Sequence, residues 1–162
     1  MDLLIFVTLG TQDKGFSRLL KAIEKAIEKG YIKDEVIVQA GVTDFTSDKM
    51  KIYNLLSMDQ FDYYVKACDL LITHGGVGSI LNGLNNNKKV IAAARLKKYD
   101  EHESDHQIQI IEAFVKLNYI MKLEDFDKLN ETIDKCMQTS FNEYIPNNEK
   151  FVKLIEDMIE DL

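Results

Sequence analysis

Apolar residues along this chain follow two rhythms. Short, nearly continuous apolar runs occupy Leu3–Thr8, Glu35–Gln39, Asp69–Thr73 and Lys89–Ala93, the pattern of strands buried on both faces of a parallel sheet. Elsewhere the spacing changes to three and four. Leu19, Leu20, Ile23 and Ile27 predict a helix over Ser17–Lys29 that stops at Gly30, and Ile108, Ile111, Phe114 and Val115 predict another over Ser104–Leu117. Lys51–Leu55 and Tyr119–Met121 fit two more short strands, and Met58–Ala67, Ser79–Asn85, Glu124–Met137 and Asn147–Leu162 four more helices. Strands alternating with helices imply βαβ units. The expected fold is therefore α/β: one Rossmann-like domain over residues 1–162, a parallel sheet with helices on both faces. No repeat or linker interrupts it, and the lone proline, Pro146, precedes the last helix.

Composition narrows the partners. The chain carries a formal charge of −7 and no basic stripe, which excludes nucleic acid as an expected ligand, because phosphate contacts need clustered Lys and Arg. An anionic ligand would have to meet local positive potential from backbone N–H groups at a helix start. The two cysteines, Cys68 and Cys136, form no Cys-x-x-Cys pair, which fits a reduced, cytoplasmic compartment. Met1–Val7 lacks the basic start of a signal peptide. No stretch reaches the roughly 20 apolar residues of a membrane span, so membrane contact is expected through a surface or a partner.

Ligands of open α/β sheets bind beyond the carboxyl ends of the strands. Three segments fall there: Thr8–Gln12, His74–Ser79 and Arg95–Gln107. In the second, Gly75, Gly76 and Gly78 would let the backbone approach a ligand and adopt positive φ, and Ser79 would open a helix whose free N–H groups favour phosphate. The same residues also suit a tight turn that holds no ligand. The loop is neither a Walker A sequence nor a Gly-x-Gly-x-x-Gly fingerprint. His102-Glu103-Ser104-Asp105-His106 matches His-Glu-x-x-His, the zinc protease signature. That motif needs both histidines on one helix. Ser104 and Gln107 instead look like a capping box. This would start the helix at Ser104 and leave His102 in a loop, so no metal is expected.

These motifs carry a resemblance when taken in order: Phe6–Gln12, Val38–Gly41, Ala67–Leu81, Arg95–Tyr99 and Glu101–Gln107. Together they resemble the glycosyltransferase family 28 C-terminal domain, more closely the stand-alone PssE-type subunits of bacterial polysaccharide synthesis. The soluble subunit of the eukaryotic dolichol-linked GlcNAc transferase is similar. The resemblance implies the C-terminal half of a GT-B fold, which binds a UDP-sugar and works with a membrane-anchored subunit presenting a lipid-linked saccharide acceptor at the inner face of the membrane. It implies that Gly75, Gly76, Gly78 and Ser79 hold the diphosphate, with His74 beside them as a donor and Gly10 and Thr11 lining the cleft. Asp105 and Gln107 match a pair that contacts hydroxyls of the donor sugar.

Asn82 stands where the family commonly places a ribose-binding Glu, which leaves open a non-catalytic subunit that activates or recruits its partner. The resemblance further implies inverting transfer of a hexose or N-acetylhexosamine for exopolysaccharide or capsule synthesis. Backbone N–H groups would stabilise the leaving diphosphate without a metal or other cofactor. The general base is not legible; Glu101 and His102 are the local candidates. The last helix, with Phe151, Leu154, Ile155, Met158, Ile159 and Leu162 on one face, suits packing on its own domain as well as docking on the partner.

Overall fold

In the computed structural model, which describes residues 3–146 and 149–160, the apolar runs become the inner strands of a six-stranded, wholly parallel sheet ordered β3-β2-β1-β4-β5-β6. The strands are β1 (Leu4–Thr8), β2 (Glu35–Gln39), β3 (Lys51–Tyr53), β4 (Leu70–His74), β5 (Lys89–Ala93) and β6 (Met121–Lys122). Side chains alternate across the sheet. Ile5, Val7, Val36, Val38, Leu70, Ile72 and Ile91 enter one core, covered by α1 (Ser17–Glu28) and α5 (Leu129–Gln138). Phe6, Ile37, Leu71 and Val90 enter the other, covered by α2 (Met58–Ala67), α3 (Val77–Asn85), α4 (His106–Lys116) and α6 (Glu149–Glu160). Double-sided burial explains why these strands read as continuous apolar runs.

Several boundaries differ from expectation, each for a local reason. β3 stops at Tyr53 because the Leu56 N–H turns to the Gln39 side chain, 2.9 Å away. α4 begins at His106, and the Ser104 capping box does not form; Gln107 is turned inward instead. Positive φ at Asn118 and a bond from Tyr119 N–H to Phe114 O delay β6 to Met121. A 3₁₀ turn over Phe126–Lys128, capped by the Asp125 carboxylate on Asp127 N–H, pushes α5 back to Leu129. In α6, Phe151 and Ile155 are buried, and Phe151 meets Phe114 edge-on at 4.8 Å, so this part of the last helix packs on its own domain while Leu154 stays exposed. Asn147, Asn148, Asp161 and Leu162, and the side chains of Met158 and Ile159, lie outside the described residues.

Candidate functional site

The strand order places a crevice. β1 and β4 are neighbours, with Thr8 opposite Thr73. The helix after β1 packs on one face of the sheet and the helix after β4 on the other. The two connections diverge at the carboxyl ends, the arrangement that opens a ligand crevice in doubly wound sheets. Gly10 and Thr11 leave one side of this point; His74 to Ser79 leave the other.

Backbones, rather than long side chains, close the floor. Gly10 has φ +77°, and a Cβ there would lie 2.5 Å from His74 Nε2. Gly76 packs on the same Cε1–Nε2 edge of that ring, nearest to Cε1. Gly41, at φ +60°, lies against the Gly10 carbonyl, where a Cβ would sit 2.5 Å from the oxygen. Gly75 rests on Gln107 Cβ and Ile111. The expected positive φ at Gly75, Gly76 and Gly78 is not found: among the described glycines it falls on Gly10, Gly30 and Gly41. Gly75 and Gly76 are required by close approach instead, and a Cβ on Gly78 would meet open space.

Helix α3 starts two residues earlier than expected. Gly76 is its N-cap, with φ −75° and ψ 134°, and no side chain caps it. Ser79 is therefore the third helical residue rather than the opening one. The first-turn N–H groups are left for solvent or a ligand, and the helix dipole makes that end positive. Asn82 lies one turn further along and is exposed, its carbonyl accepting from the Asn86 side chain.

Beneath this turn sits a buried polar cluster. Gln107 is 2% exposed. Its Oε1 accepts from Gly75 N–H at 2.9 Å and from Arg95 N–H at 3.0 Å, and its Nε2 lies 3.0 Å from His74 Nδ1. Ser79 Oγ is 3.4 Å from His74 Nε2. Burial, helped by the nearby charges of Arg95 and His102, drives His74 down to about 3, although the Gln107 bond works the other way. Gln107, expected to touch a sugar hydroxyl, is buried here, with its amide oxygen and one end of its NH₂ group bonded within the protein. Asp105, two residues earlier, stays exposed, with one carboxylate oxygen accepting from Lys97 N–H at 2.8 Å.

What Arg95 and Arg18 do left no signal along the chain. Arg95 is 1% exposed. Its guanidinium donates to the carbonyls of Lys14 (2.7 Å), Glu101 (3.0 Å) and Leu9, tying the loop after β1 to the loop after β5. Burial lowers Arg95 to about 10, with the Glu101 charge opposing, so it remains a cation at neutral pH. Arg18 holds the Glu101 carboxylate through two bonds, at 2.8 and 3.0 Å, and lies 4.0 Å over the Phe126 ring. Glu101 is 4% exposed and also accepts from Leu96 N–H. As a candidate base it is poorly placed; it braces the loop. His102 lies before α4, with Nδ1 accepting from Ser104 N–H at 3.1 Å, so the two histidines of the His-Glu-x-x-His match do not share a helix.

The glycosyltransferase family 28 C-terminal domain matches residues 4–162. The chain is 31% identical over 96 residues to the UDP-N-acetylglucosamine transferase subunit ALG13 of Candida albicans, covering 56% of this chain and 31% of that protein. It is 33% identical over 91 residues to the Saccharomyces cerevisiae protein of the same name, covering 52% and 43%. The chain thus spans less than half the length of these curated relatives. A solution structure of ALG13 superimposes with a TM-score of 0.59 at 21% identity, covering 94% of both chains. The glycotransferase of kitacinnamycin gives 0.64 at 12% identity, over 99% of this chain and 39% of that one. These structural likenesses concern the fold, that of the C-terminal domain of GT-B glycosyltransferases.

Proposed function

Because the chain belongs to the glycosyltransferase family 28 C-terminal domain family, we propose that it is the donor-binding catalytic subunit of an inverting glycosyltransferase that takes a hexose or N-acetylhexosamine from a UDP-sugar. The observation that carries this reading is the glycine-floored crevice at the β1–β4 divergence, which ends on the uncapped start of α3. The matched relatives, UDP-N-acetylglucosamine transferase subunits, support both the donor class and a subunit role.

In this reading an acceptor hydroxyl attacks the anomeric carbon as its bond to the diphosphate oxygen breaks. Negative charge builds on the departing UDP. The N–H groups of Val77, Gly78 and Ser79 stabilise that charge as a preorganised array, the role a metal ion plays in other sites. The acceptor proton needs a base. Of the local candidates, Glu101 is held by Arg18 and His102 is tied to Ser104, so the base is assigned to the partner chain. That partner is a membrane-anchored subunit presenting a polyprenyl-diphosphate-linked saccharide at the cytoplasmic face, in exopolysaccharide or capsule synthesis. Among the described residues no helix is long and apolar enough to cross a membrane; membrane attachment falls to the partner here.

Asn82 favours a second reading, a non-catalytic subunit that activates or recruits its partner, since a neutral amide binds ribose hydroxyls less strongly than a carboxylate. Calorimetric titration with UDP and UDP-sugars, with EDTA present, separates the two. The donor reading expects binding that survives EDTA and is lost on Ser79→Phe. No binding even with the partner present would leave the non-catalytic subunit.

A further inference from the structure

We propose that Gln107 is a positioning residue that locks His74 in one neutral tautomer and so turns the hydroxyl proton of Ser79 toward the bound diphosphate. The last step rests on the donor-subunit reading; the first does not.

The orientation of the Gln107 amide is fixed by its neighbours. One end faces two backbone donors, Gly75 N–H and Arg95 N–H, at 2.9 and 3.0 Å. Only the carbonyl oxygen can face two donors, so the NH₂ end must be the group 3.0 Å from His74 Nδ1. Nδ1 must then accept, and the ring proton must sit on Nε2. Nε2 faces Ser79 Oγ at 3.4 Å, so the serine oxygen accepts from the ring. The hydroxyl proton cannot return to the ring and is free to point out from the first turn of α3.

The ring has little room to turn: it is buried, and Gly10 and Gly76 both pack against its Cε1–Nε2 edge. It also stays neutral: burial, Arg95 and His102 hold it far below its ordinary range. The same oxygen that fixes the tautomer ties the backbone after β4 to the backbone after β5, so a side chain without access to solvent sets the polarity of one that has it.

The chain has three histidines, and His102→Gln with His106→Gln leaves His74 alone. Long-range proton–nitrogen spectra of that full-length variant at neutral pH should show Nε2 protonated and Nδ1 bare. A ring protonated on Nδ1, or on both nitrogens, overturns the proposal. Gln107→Glu keeps an acceptor for both N–H groups but cannot donate to Nδ1. The ring should then carry its proton on Nδ1, Ser79 should donate to Nε2, and UDP affinity should fall about tenfold, the scale of one hydrogen bond. Ser79→Ala should cost a similar factor, and the double variant no more than either alone, because both remove the same bond. Independent, multiplying losses would overturn the route through Ser79. If the parent chain binds no UDP even with its partner, the donor reading fails, and the ring spectrum still decides the tautomer.

Discussion

The loop after β4 and the loop after β5 leave neighbouring strands side by side, yet they are built in opposite ways. Residues 75–79 contain three glycines and no charge, and no side chain caps the helix they open. Residues 94–105 carry Arg95, Lys97, Lys98, Asp100, Glu101, Glu103 and Asp105; Arg95 and Glu101 are buried, and several of the charges are paired within the protein. Arg95 is consumed by carbonyls, Glu101 by Arg18 and Leu96, Asp105 by Lys97 N–H, and Asp100 by Lys14. In this molecule the charged residues are the brace, and the working surface is bare backbone. A buried charge is tolerated only with its full set of partners, so such a group is poorly suited to act on a transient ligand. Unpaired N–H groups at a helix start are suited to it.

The sharpest way to break this contrast lies at His74, where the two loops meet. Its buried ring is held at about 3 against an ordinary 6.5, so the unfolded chain takes up the proton first as the pH falls. The stability His74 contributes is complete above about 6.5, declines from there toward 3, and does not recover below. Urea unfolding at about pH 7 and about pH 5 should show a steeper loss for the parent chain than for His74→Asn; equal losses would remove His74 from that role.

Arg95→Met comes next. It strands the carbonyls of Leu9, Lys14 and Glu101 in the interior and should cost roughly 3–5 kcal/mol in thermal or urea unfolding. Unchanged stability would mean that the loops hold themselves. The smallest effect distinguishes neighbours within one loop. Gly76→Ala drives a methyl into the His74 ring and should cost about 1–3 kcal/mol. Gly78→Ala meets open space inside a helix and should be neutral or stabilising by up to about 1 kcal/mol, while weakening UDP binding. A Gly78→Ala chain that binds UDP like its parent would move the ligand away from this turn.

The sheet was legible because β1, β2, β4 and β5 are buried on both faces and so carry unbroken apolar runs. The crevice was legible from glycines placed at strand ends. The floor was not. Gly10 needs positive φ and lies on a ring 64 residues further along, while Gly76, expected to need it, does not; sequence shows that a glycine is present, not which constraint it answers. The buried role of Arg95 was not legible because its partner Leu9 is 86 positions distant, and long-range carbonyl contacts leave no local pattern. Gln107 misled for a related reason. Ser-x-x-Gln is a sound local signal for a cap, but two buried N–H groups from other loops compete for the amide and win.

The position of β1 bears on how the chain leaves the ribosome. It is a central strand, flanked by β2 and β4, and its Leu4 N–H is held by Asp69, 65 residues downstream. Until β4 has emerged, the nascent product exposes one full edge of β1. An open parallel edge of that kind pairs readily with other chains. Translation halted before Leu70 would therefore yield an aggregating fragment, not a smaller domain, and the chain gains its protected centre only when β4 docks.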